Sequence, residues 1–76
     1  MSVMVYSTPT CPYCNMVKDY LKEQNIEFAD INVAEDQAKG QEMVQKSGQM
    51  GVPVIDIDGT IIVGFDKPKI EEALKS

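Results

Sequence analysis

Two runs of β-branched residues, Val52–Ile57 and Thr60–Val63, are separated only by Asp58-Gly59. An Asp-Gly pair between such runs is the strongest short-range hairpin signal, because a type I′ turn needs positive φ at both central positions. Two neighbouring antiparallel strands are thereby set near the end of the chain, and the rest must be arranged around them. Upstream, Val3–Ser7 is a short apolar run closed by Thr8-Pro9, which reads as a buried strand. Tyr13, Met16, Val17, Tyr20 and Leu21 then recur at the spacing of an amphipathic helix. Pro12 can open that helix with Cys11 or Thr10 near its cap, and Gln24-Asn25 ends it. Ile26–Val33 predicts a second strand and Glu35–Ser47 a second helix, stopped by Ser47-Gly48. Asp66 as N-cap and Pro68 in the first turn open a last helix with Ile70, Ala73 and Leu74 on its face.

The resulting order, β-α-β-α-β-β-α, predicts one α/β domain over residues 1–76 with a mixed sheet. Strands one and two, joined through a helix, should run parallel. A chain of 76 residues buries only about 60% of the surface its unfolded form exposes, so the core must be thin. No apolar run approaches the ~20 residues of a membrane span. The first residues carry no basic stretch followed by a long apolar one, so no secretory leader is expected and the cytosol is the expected location. Seven lysines face twelve carboxylates, and arginine and histidine are absent. A net charge of −5 leaves no basic patch to replace phosphate counterions, which excludes nucleic acid and disfavours an anionic membrane. Without histidine there is no Cys-His or Ser-His dyad, and the commonest zinc ligand is missing.

Chemistry must therefore come from thiols, carboxylates, lysines or the backbone. Cys11-Pro12-Tyr13-Cys14 is the one reactive constellation, and a Cys-x-x-Cys at a strand-to-helix junction reads as a redox dithiol. Cys11 at the helix N-terminus sits over unpaired N–H groups and the positive end of the helix dipole, which stabilise the attacking thiolate. Cys14, a turn further in, is expected to be more buried, to keep a higher pKa and to act as the resolving thiol. A structural disulfide closes too short a loop to constrain much. A metal site needs about four ligands, and two thiols without histidine do not supply them. Inert core cysteines are a third alternative. At Val52-Pro53 a strand-start proline is the plain reading; the functional one is a cis-proline facing the dithiol, with the Val52 backbone free to pair with an extended substrate.

These residues resemble the glutaredoxins of the thioredoxin superfamily. Cys11-Pro12-Tyr13-Cys14 matches the dithiol motif, Val52-Pro53 matches two of three positions of the Thr-Val-Pro signature with Gly51 for threonine, and Gly64-Phe65-Asp66 lies where the Gly-Gly-x-Asp turn belongs. The resemblance spans nearly the whole chain. It implies a thioredoxin-like fold with a four-stranded mixed sheet flanked by helices, and dithiol–disulfide oxidoreductase activity on protein or glutathione mixed disulfides. It also implies a cis Pro53 and a glutathione groove formed by Tyr13, Val52, Pro53, Gly64, Phe65 and Asp66. There the Val52 peptide would bind the cysteinyl part, and the Asp66 end of the last helix the γ-glutamyl carboxylate and amine. No bound cofactor or metal is expected, glutathione being the reductant. Thr8 replaces the lysine usual three residues before the first cysteine, Lys67 the second aspartate after the turn, and Val63 the first glycine.

Gly64-Phe65 with Pro68 is also similar to the NrdH-type redoxins, whose donor is thioredoxin reductase. The chain thus resembles a short bacterial glutaredoxin-like protein between the two donor types, with disulfide-bearing proteins as substrates and a monomer as the default state. Two alternatives of other classes stand beside the enzyme. One is a dimer holding an iron–sulfur cluster through Cys11 and glutathione, which Pro12 disfavours; the other is an adaptor with unreactive thiols. Among lesser features, Met43 is expected in the core and Met50 at the rim of the cleft. Asp56 and Asp58 should line the solvent side of the third strand and Glu71-Glu72 a solvated helix face; Lys18, one turn beyond Cys14, could bias the local field but is expected to be an exposed lysine.

Overall fold

The computed structural model describes residues 2–75; Met1 and Ser76, the ends of the expected 1–76 domain, lie outside the described residues. The elements are β1 (Val3–Ser7), α1 (Pro12–Glu23), β2 (Ala29–Asn32), α2 (Gln37–Ser47), β3 (Val54–Ile57), β4 (Thr60–Val63) and α3 (Lys67–Lys75). They form a four-stranded sheet in the order β2-β1-β3-β4. β1 runs parallel to β2 and antiparallel to β3, and β3 pairs antiparallel with β4. The element order and the mixed sheet are those expected. Asp58 at φ 50° and Gly59 at φ 93° give the hairpin the two positive φ values of a type I′ turn.

Side chains alternate across each strand, so a central strand divides its residues between two layers. Val3 and Val5 of β1, with Ile55, Ile57 and Ile62, pack against Val17, Tyr20 and Leu21 of α1 and against Ile70 and Ala73 of α3. Tyr6 of β1 and Val54 of β3 face the other way and meet Met43 of α2, with Met4, Ile31, Val33, Val44 and Ile61 around them. Met43 is thus in the core, as expected.

Several boundaries and faces differ from expectation. β2 begins at Ala29, three residues later than Ile26, because α1 closes through Asn25 at φ 58° and the Ile26 N–H turns back to the Leu21 carbonyl. Ile26 and Phe28 serve the α1/α3 core from the connection instead. α2 begins at Gln37 because Asp36 is its cap, accepting the Lys39 N–H at 3.1 Å. The third strand starts at Val54, after the Val52–Pro53 bend, not at Val52. On α1 the buried stripe runs Cys14, Val17, Tyr20, Leu21, while Tyr13 and Met16 are exposed.

The expectation for Asp56 is overturned: its side chain is buried, not solvated. β3 is covered on both faces, so its polar position points at α2. There the carboxylate accepts from Lys46 Nζ at 2.8 Å and from the Gly59 N–H at 2.8 Å. Lys46 also donates to the Tyr6 hydroxyl at 3.0 Å, which in turn donates to Glu42 at 2.8 Å. The Asp56 carboxylate and the Tyr6 hydroxyl hold the Lys46 ammonium well above its ordinary pKa, Asp56 contributing most. Glu71 is likewise not fully solvated, since it accepts the Tyr20 hydroxyl at 3.0 Å, whereas Glu72 is exposed.

Candidate active site

The strand register gathers the three sequence motifs at one end of the sheet. Tyr6 pairs with Val54, and Val54 pairs with Val63. The dithiol segment leaves the C-terminal end of β1, the Val52–Pro53 bend enters the N-terminal end of β3, and Gly64 leaves the C-terminal end of β4. Antiparallel pairing therefore brings residues some forty and fifty positions apart to adjacent strand ends.

Cys11 is the N-cap of α1, in extended geometry (φ −99°, ψ 109°), with Pro12 opening the helix. Its N–H closes a turn onto the Thr8 carbonyl at 3.4 Å, and its carbonyl accepts the Asn15 N–H at 3.3 Å. The Cys11 Sγ accepts the Cys14 N–H at 3.2 Å. A sulfur in the place of a capping oxygen thus satisfies one of the orphan N–H groups of the first turn.

Cys14 differs from Cys11 in burial. Cys11 is partly exposed, while Cys14 is fully buried at the head of the α1 stripe. Burial pushes the Cys14 thiol up to about 11, and the neighbouring Cys11 adds to the rise. A backbone hydrogen bond from Thr8 and the charge of Lys18 oppose it. One thiol is accessible and capped onto a helix terminus; the other is enclosed one turn beneath it.

The Val52–Pro53 peptide is cis. Pro53 is buried, and its carbonyl accepts the Gly64 N–H at 2.8 Å, which ties the bend to the end of β4. Gly64 adopts φ 79°, a conformation that favours glycine, and its carbonyl accepts the Asp66 N–H at 3.1 Å. Val52, Pro53, Gly64 and Asp66 are therefore linked in one frame. The Asp66 carboxylate caps α3, accepting the Lys69 N–H at 3.3 Å with Lys69 Nζ at 3.9 Å. Phe65 turns its ring away into the core, edge-on to Tyr20 at 6.2 Å. Tyr13 stands free at 61% exposure. Met50, also exposed, lines a groove with Val33, Met43 and Val44 on the α2 side.

Lys18 is not the exposed lysine expected. Its side chain is 18% exposed and its ammonium lies 3.1 Å from Asp30 of β2. The other Asp30 oxygen accepts the hydroxyl of buried Ser7 at 3.0 Å. The i, i+4 spacing of Cys14 and Lys18 was a signal for this side of the site; Asp30 became visible only through strand pairing.

The Glutaredoxin family model matches residues 3–62. A glutaredoxin-like 8.6 kDa protein in the rubredoxin operon of Clostridium pasteurianum is 53% identical over 73 residues, covering 96% of this chain and 97% of that one. The glutaredoxin-like protein NrdH of Lactococcus lactis is 41% identical over 63 residues, covering 83% of this chain and 86% of its own. Among solved structures, a variant of the thioredoxin-like protein BC3987 superposes with a TM-score of 0.91 at 30% identity, over 97% of this chain and 95% of that chain. The fold, the paired thiols and these relatives agree: the chain belongs to the glutaredoxin family of thiol–disulfide oxidoreductases.

Proposed function

We propose that this protein reduces protein disulfides and glutathione mixed disulfides, with Cys11 as attacking and Cys14 as resolving thiol. The observation that carries the reading is the asymmetry of the pair: an accessible Cys11 Sγ bonded to the Cys14 N–H, above a Cys14 that is fully buried. The Cys11 thiolate attacks one sulfur of the substrate disulfide, joining it in a mixed disulfide and releasing the other sulfur as a thiol. Cys14 then attacks the Cys11 sulfur, the second substrate thiol leaves, and the two electrons given up appear as the Cys11–Cys14 disulfide. Two glutathione molecules return the electrons, becoming glutathione disulfide. The groove for glutathione is the frame around Val52, Pro53, Gly64 and Asp66, with Tyr13 on the α1 side. The Val52 backbone beside the cis bond offers strand-like pairing, and the α3 N-terminus favours a carboxylate.

A second reading, reduction by thioredoxin reductase, is favoured by the α3 terminus itself. Asp66 spends an oxygen on the Lys69 N–H, Pro68 has no N–H to offer, and Lys67 lays its ammonium over the Tyr20 ring at 5.4 Å. Few free donors remain there for a γ-glutamyl carboxylate.

The test is NADPH consumption by the oxidised protein in two recycling systems, glutathione with glutathione reductase and thioredoxin reductase alone. Turnover with glutathione supports the first reading. Turnover only with thioredoxin reductase selects the second and removes the glutathione groove. In either system Cys11→Ser is expected to abolish turnover; retained activity would overturn both readings.

A further inference from the structure

Resolution puts an unusual demand on Cys14. Its thiol must become a thiolate to attack, yet it is wholly enclosed, and burial opposes charge. The enclosing surface supplies one cation. Lys18 lies four residues on, the next position on the same helix face, and side chains on a helix lean back over the preceding turn, here the turn of Cys14. A lysine at such a place would ordinarily extend into water. This one is held by Asp30 at 3.1 Å, and Asp30 is held by Ser7 at 3.0 Å, the buried last residue of β1. Two strands thus fix the ammonium beside the helix. The groups acting on Cys14 are Cys11 at the cap of α1, Lys18 on α1 and the Thr8 backbone from the preceding loop; Lys18 is the cation among them, and its charge pulls the thiol pKa down.

We propose that the Lys18 ammonium, fixed in place by the positioning residues Asp30 and Ser7, stabilises the Cys14 thiolate and so sets the rate of the resolving step. The inference rests on the reading of Cys14 as the resolving thiol. In that step the Cys14 sulfur attacks Cys11 of the mixed disulfide, the Cys11–substrate S–S bond breaks, and the Cys11–Cys14 bond forms. The departing substrate thiolate takes up the proton that Cys14 gives up, and Lys18 keeps its own throughout. Removing the cation lowers the thiolate fraction, while the more basic sulfur becomes a better nucleophile. With a Brønsted coefficient of about 0.4–0.5, each tenfold loss of thiolate leaves attack about threefold to fourfold slower.

The experiment is a single-turnover reaction of pre-reduced protein with insulin disulfides, quenched in acid and read by mass spectrometry. No electron donor is involved. Lys18→Met, and Lys18→Gln as a second variant with a polar stem, are expected to accumulate the Cys11 mixed disulfide, with its decay slowed about threefold or more. Lys18→Arg restores the decay, and Asp30→Asn reproduces part of the loss. Formation of the mixed disulfide, measured in the Cys14→Ser background, falls by less than resolution does. Equal losses in the two steps, unchanged decay in both Lys18 variants, or failure of Lys18→Arg to rescue would overturn the proposal. If Cys14→Ser itself clears the mixed disulfide as fast as the native dithiol, the resolving assignment fails, an outcome separable from any effect of Lys18.

Discussion

On the α1/α3 side of the sheet, Val3, Val5, Val17, Leu21, Ile55, Ile57, Ile62 and Ile70 fill the interface, with the polar contacts Ser7–Asp30–Lys18 and Tyr20–Glu71 beside them. On the α2 side the buried apolar set is Tyr6, Met43 and Val54, and a polar chain does much of the joining: Glu42 to Tyr6, Tyr6 to Lys46, Lys46 to Asp56. The difference matters because the dithiol is carried by α1. Apolar contacts do not titrate, so the helix presenting Cys11 keeps its footing over the pH range in which thiols ionise. The α2 layer is held by groups whose charges can be removed.

The largest expected effect lies on the apolar side. Leu21→Ala opens a cavity at a fully buried position and should cost about 2–5 kcal/mol, out of a total near 4–11 kcal/mol for a chain this size. Urea midpoints give the value. Asp56→Ala should cost less, about 1–3 kcal/mol. It strands the Gly59 N–H, but Lys46, whose side chain is 29% exposed, can turn to water. An Asp56→Ala loss exceeding that of Leu21→Ala would reverse the comparison and make the polar face the stronger holder.

The comparison sharpens with pH. Lys46 has a raised pKa in the folded protein, so its contribution is fully present below the unfolded value near 10.4 and is lost as pH climbs through the folded one. Stability should therefore fall at alkaline pH, and Lys46→Met should flatten that fall, as read from urea midpoints on either side of the unfolded lysine value, from about pH 9 to about pH 12. A slope unchanged in Lys46→Met would assign the alkaline loss elsewhere. Glu42 has a lowered pKa, the Tyr6 hydroxyl being the main cause. Its share is present above the unfolded carboxylate value and is lost as pH falls through the folded one.

The smallest effect has the opposite sign. A Cβ on Gly40 of α2 would meet the Val33 Cβ at 3.7 Å, ordinary contact, so Gly40→Ala should stabilise by about 0.5–1 kcal/mol through helix propensity. A thermal midpoint that drops instead would show α2 seated more tightly than its contacts indicate.

Features decided by local chemistry were legible in the sequence. The Asp58-Gly59 turn, the Asp66 cap, the extent of β1 and the start of α1 follow from a few adjacent residues. The Cys11–Cys14 spacing was equally plain. Features decided by what lies opposite were not. Asp56 reads as solvated because alternation along a strand says which positions share a face but not whether that face is covered. Its cover, Lys46, is ten residues upstream on α2. Lys18 reads as exposed for the same reason, its partner Asp30 being recognisable only once β1 and β2 are side by side. The edge strand β2 carries the fewest buried residues of the four, which is why its pattern overstated its length.

The position of β1 in the middle of the sheet has a consequence for how the chain reaches its fold. β1 is the first strand in the sequence, yet its neighbours come from far downstream: Met4 pairs with Ala29, and Val3 with Ile57. During synthesis, which proceeds from the N-terminus, Val3–Ser7 has no partner until β2 emerges and only one until β3 follows. Loops of some twenty-five and fifty residues must close before either ladder repays their entropy, which slows folding. The segment leading into the dithiol is thus made before either strand that flanks it.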